Sequence, residues 1–115
     1  MSPSRGVVPI PSTIPPHVHR PALARAYNEA LRTLARARQL PLIDYEREIL
    51  LRRPNDWDGT LLEKGDVHPT AARAGADPTS APTPENLSNS GYLLRGWLSV
   101  NKVGEVKKEV FAGRR

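Results

Sequence analysis

The chain has 115 residues, 17 Lys+Arg against 12 Asp+Glu, and a net charge of +5. Without cysteine it has no disulfide framework, thiolate metal site or cysteine nucleophile, and no apolar run approaches the ~18 residues of a membrane span. Its length suits one domain or part of one, and the 38% apolar content concentrates any core in a few segments.

In chain order, the run Met1–His17 lacks a basic start followed by an apolar stretch, so no secretory leader is read. Within residues 6–16, Val7, Val8 and Ile10 suit a short strand, although Pro9 and Pro11 remove two ladder donors. Residues 21–38 read as a helix with Pro21 in its first turn. Leu23, Tyr27, Ala30, Leu31 and Leu34 form an apolar stripe, with Arg25, Arg32 and Arg36 opposite as a solvated face. Pro41 ends the pattern. Leu42–Tyr45 reads as a short buried strand, followed by one or two helical turns over 46–53.

Residues 55–84 are loop-like, and 69–85 are read as flexible. A last helix over 86–111, capped by Asn86 or Ser88, carries Leu87, Leu94, Trp97, Leu98, Val100, Val103, Val106 and Val110 on a broad apolar face. Gly91, Gly96 and Gly104 each cost about 1 kcal/mol relative to alanine in a helix, so close backbone packing is expected at them. Strands alternating with helices predict βαβ units and a small parallel sheet.

The run Gly65-Asp66-Val67-His68-Pro69-Thr70 is the richest in chemistry. An unperturbed imidazole titrates near neutrality and suits general-base work, and a neighbouring carboxylate holds its tautomer. Other clusters have plainer readings. His17-Val18-His19 offers two imidazoles with no third metal ligand nearby, and Trp57 between Asp56 and Asp58 either lines a cleft or packs in a turn. Asp44-Tyr45 ends a predicted strand, with helix capping as the default role. Ser12 lies in neither a Gly-x-Ser-x-Gly elbow nor a Gly-Asp-Ser block.

Taken together, Thr13-Ile14-Pro15-Pro16, the helix with Tyr27-Asn28-Glu29-Ala30-Leu31, Leu40-Pro41-Leu42-Ile43-Asp44-Tyr45, the Gly65–Thr70 cluster and the terminal helix resemble the C-terminal half of an SGNH (GDSL-like) hydrolase. The resemblance implies a Ser-His-Asp ester hydrolase with a partial three-layer α/β/α (flavodoxin-like) sandwich, residues 1–115 being the C-terminal portion of one domain without its N-terminal strands. It makes His68 the general base and Asp66 its orienting carboxylate. It implies carboxylic esters as substrates, acetyl groups on carbohydrate among them, with no cofactor or metal. The family's Gly-Asp-Ser block does not occur, and one residue separates Asp66 from His68 where the family has two. The isolated chain is therefore expected to be inactive and marginally folded. The alternative is a non-catalytic remnant or basic module binding a protein or nucleic acid. With aromatics at only 5%, there are few stacking platforms for bases.

Overall fold

A computed structural model describes residues 7–112, so Gly6 of the first predicted strand and the rest of residues 1–6 and 113–115 lie outside it. The elements are α1 (Pro21–Ala37), α2 (Tyr45–Arg52), α3 (Pro84–Leu87) and α4 (Gly91–Ala112). The expected α/β sandwich is contradicted: among the described residues there is no sheet, only isolated bridges. The two predicted strands meet as a single parallel bridge, Ser12↔Ile43, in which Ile43 N–H donates to Pro11 O (2.9 Å) and Thr13 N–H to Ile43 O (3.0 Å). Pro9, Pro11, Pro15, Pro16 and Pro41 lack the N–H groups that would extend the ladder, so the pairing stops after one rung.

Helix α1 begins at Pro21, as its sequence predicts. It ends in a Schellman turn: Leu40 N–H donates to Ala35 O (2.8 Å) and Gln39 N–H to Arg36 O (3.3 Å), with Gln39 in the left-handed region at φ 53°. Its facing is rotated by about a quarter turn from expectation, with Leu31 of the stripe half-buried and Arg25 and Arg36 still exposed. The stripe residues Leu23, Tyr27 and Leu34 are 64%, 54% and 46% exposed, while Ala24, Asn28 and Ala35 are buried. Polar atoms set this orientation. Asn28 clamps Ile14 in both directions, accepting from its N–H (2.9 Å) and donating to its carbonyl (2.8 Å). Arg32, predicted to be solvated, donates to both oxygens of Asp44 and to Glu46, each at 2.8 Å, and to Glu29 at 2.6 Å. Asp44 also caps α2, accepting from Arg47 N–H and Thr13 Oγ1 (each 3.2 Å).

The core lies among α2, the 57–62 loop, α3 and the first half of α4: Tyr45, Ile49, Leu61, Leu62, Leu87, Leu93 and Leu94 are buried, with Trp57, Trp97 and Leu98 packed against them. Trp57 thus takes the packing role. Leu61 and Leu62, inside the predicted loop, are fully buried. The predicted last helix is split. Thr83 caps α3, and Ser90 Oγ accepts from Leu93 N–H (3.2 Å) at the start of α4. The broad apolar face holds only near that start, because Val100 and Val103 are 73% and 53% exposed. The radius of gyration is 15.4 Å, above the roughly 13 Å of a compact chain this long.

Of the three glycines expected at close contacts, one fits. A Cβ on Gly91 would overlap Leu61 O and sit 2.9 Å from Thr70 N, whereas Gly96 and Gly104 face open space. Gly91→Ala is expected to destabilise the chain by about 1–3 kcal/mol, as overpacking does, and Gly96→Ala to stabilise it by up to about 1 kcal/mol. Urea denaturation of both variants checks this.

Burial pushes the Asp44 carboxyl up, but the bonds from Arg32, Arg47 N–H and Thr13 outweigh it and hold it below its ordinary value. A carboxyl lowered on folding stabilises fully above its unfolded pKa of about 3.9 and loses that stabilisation as pH falls below it. Asp44→Asn should cost about 1–3 kcal/mol at pH 7. It should also flatten, without abolishing, the fall in urea midpoint below about pH 4, since Asp66 and Asp77 are lowered too.

Candidate active site

The loop carrying Asp66 and His68 stands on two apolar feet, Leu62 and Pro69, which are both buried and joined by an antiparallel bridge. Glu63 N–H donates to His68 O (2.8 Å) and Asp66 N–H to Glu63 O (2.9 Å), closing the tip. At the apex Gly65 has φ 72°, a backbone region that glycine enters without strain. Two distant residues grip it: Gly65 N–H donates to Asp58 Oδ1 (2.7 Å), and His19 Nε2 lies 3.1 Å from Gly65 O.

Thr70 fastens the other end. Its N–H donates to Leu61 O (3.0 Å), and its hydroxyl donates to Thr60 O (2.6 Å) and accepts from Gly91 N–H (3.0 Å). Its carbonyl accepts from Tyr92 N–H (3.0 Å). The loop is thereby joined to the first turn of α4.

On this support both oxygens of Asp66 lie 3.0 Å from His68 Nδ1, and Val67 N–H donates to Asp66 Oδ1 (2.6 Å). The bond from His68, then that from Val67 N–H, holds the Asp66 carboxyl below its ordinary value. An ionised carboxylate only accepts, so Nδ1 carries the proton and Nε2 of the neutral ring keeps its lone pair. Nε2 makes no hydrogen bond among the described residues. The two side chains are 68% and 49% exposed, which leaves the His68 ring open to solvent.

Val67 and Pro69, on either side of His68, line a cleft of about 420 Å³ with Ser12, His17, Tyr45 and Arg95. Ser12 Oγ donates to Thr13 O (3.0 Å) rather than to His68. Tyr45 hydroxyl donates to Gly91 O (3.3 Å). Burial raises its phenol well above the ordinary value even though nearby Arg95 pulls it down.

His17 and His19 have separate structural tasks. His17 Nδ1 accepts from the N–H groups of His19 and Arg20, each at 3.1 Å, just ahead of α1. No group of three or more metal-ligating side chains occurs among the described residues. The sequence alone points to no structural role for Asp58, Thr70 or Arg95, and it offers His19 only as one of two imidazoles beside His17. Asp58-Gly59 beside the apolar pair Leu61-Leu62 is the signal that this loop is built rather than open.

Compared with known proteins, the chain matches no family model, no curated protein and no solved structure.

The geometry fixes opposite tautomers in two histidines: Nδ1–H in His68 and Nε2–H in neutral His17. Two-bond 1H–15N correlation spectra above pH 8 should show both. Asp66→Asn should shift His68 toward the Nε2–H form and leave His17 unchanged.

Proposed function

We propose that Asp66 and His68 are the orienting carboxylate and general base of a Ser-His-Asp ester hydrolase, acting on carboxylic esters with a serine supplied from outside the described residues. The observation that carries this reading is the Asp66–His68 contact at 3.0 Å, with Nε2 unengaged among the described residues. The resemblance to the C-terminal half of an SGNH hydrolase supports it, because the same two residues follow from their place in the chain.

In the proposed reaction His68 Nε2 takes the proton as the serine oxygen attacks the ester carbonyl. The imidazolium, held by ionised Asp66, then protonates the departing alcohol oxygen as the C–O bond breaks. His68 next deprotonates water, which attacks the acyl-serine. The carboxylic acid leaves and the proton returns to the serine oxygen. General acid–base catalysis of this kind contributes about 10²–10⁴-fold. Asp66 contributes by keeping Nδ1 protonated, so that the lone pair faces the reaction.

A second reading, a non-catalytic module binding a protein partner, rests on the α1 stripe. Leu23, Tyr27 and Leu34 are 46–64% exposed on one face, an apolar surface suited to burial against another chain.

The two readings part in one experiment. Intact mass after fluorophosphonate treatment and p-nitrophenyl acetate hydrolysis are measured on the 115-residue chain and on the full product of its reading frame. The hydrolase reading expects no adduct on the chain alone and one on the full product, whose kcat falls about 10²–10⁴-fold in His68→Ala. A full product that is unlabelled, or whose hydrolysis is unchanged in His68→Ala, overturns it.

A further inference from the structure

The cleft lined by Val67 and Pro69 has a charge pattern that the proposed reaction does not use. Its walls are apolar: Ile14, Pro15, Val67, Pro69 and the Tyr45 ring. No Asp or Glu lines it. Arg95, the fifth residue of α4, lines it and has no ion pair among the described residues. Arg32 and Arg53 are engaged with carboxylates and Arg52 with Glu48 and over the Trp97 ring. Arg20, Arg25, Arg36, Arg47 and Arg73 also lack an ion pair among the described residues, but of these arginines Arg95 alone lines the cleft.

A second donor belongs to the same cleft. His17 lines it, and the two backbone N–H groups on Nδ1 leave Nε2–H as the neutral ring's free donor. The cavity of about 420 Å³ is within the usual range for a small ligand, about 300–1,000 Å³. An arginine fork matches the two oxygens of a carboxylate or phosphate, and the apolar walls match a hydrocarbon body.

We propose that this cleft binds a small, largely apolar ligand through one anionic group, a carboxylate or phosphate, held by Arg95 and His17. Resting on the hydrolase reading, the substrate is then an ester whose acyl or alcohol part carries that negative charge away from the scissile bond. The ester end lies toward the wall residues Val67 and Pro69, which flank His68 in the chain, and the anionic end toward Arg95. Neutral esters of the same size fill the cleft without meeting its cation.

The test is binding, so it does not depend on hydrolysis. Phenylacetate, phenyl phosphate and neutral phenylacetamide are titrated into the 15N-labelled chain, with backbone amide shifts as the readout. Shifts should centre on Ser12, Thr13, Ile14, His17, Val67 and Arg95. At least one anion should bind about 10-fold or more tightly than phenylacetamide, and comparison of the two anions identifies the preferred group. Arg95→Gln should bring the anion to the affinity of the amide, and Arg95→Lys should keep part of the preference. Equal affinities in the wild type, a preference that survives Arg95→Gln, or shifts centred elsewhere overturn the proposal. Such a result leaves fluorophosphonate labelling through His68 untouched. Loss of His68-dependent labelling with anion binding intact removes the hydrolase reading alone.

Discussion

Thr70 is the residue on which the arrangement turns. Directly after His68-Pro69, it bonds backward to Thr60 and Leu61 and forward to Gly91 and Tyr92 through its hydroxyl and both backbone groups. A single buried side chain thereby locks the feet of the histidine loop to the start of α4. Gly91 is the complement of that lock, because only a residue without a side chain lets the helix begin this close to Leu61 and Thr70. Leu61, Leu62 and Leu94 then close the core around the joint. The exposed dyad inherits its position from this buried knot.

A different logic holds α1. Leu23, Tyr27 and Leu34 face outward, and what attaches it is Asn28 on the Ile14 backbone and Arg32 on Asp44 and Glu46. Every buried polar side-chain atom among the described residues finds a partner, so these contacts do not carry the cost of an orphaned group. Arg32 is charged and multiply bonded. Its bond to Asp44 and those to Glu46 and Glu29 raise its pKa further against the lowering effect of burial. Directional bonds of this kind orient a helix where little apolar area is buried beneath it.

The helices were legible where local signals decide them: Pro21 starts α1, Asp44 caps α2, and the Tyr45–Arg52 turns stop before Pro54. The sheet was not, because strand propensity at Ile43 and the residues before Ser12 says nothing about how many neighbours each segment finds, and here each finds one. The facing of α1 was misjudged for a related reason. A hydrophobic stripe marks the face that could be buried, while Asn28 and Arg32 chose the face that is. His68 and Asp66 were legible as a pair because they are two residues apart. Thr70, Asp58 and Arg95 were not, since their roles arise from contacts with segments distant in the chain.

That difference in sequence separation has a kinetic meaning. The Asp66–His68 contact and the bonds from Glu63 to His68 and Asp66 span two to five residues, whereas the cleft brings together Ser12, Tyr45, Val67 and Arg95. Short loops close fast and at small entropic cost; long ones close late and only once the core rewards them. The Asp66–His68 contact is therefore older in folding time than the neighbouring cleft. A pair set by the local chain and a cavity set by distant segments, neighbours in sequence at Val67 and Pro69, are acquired at separate moments by this chain.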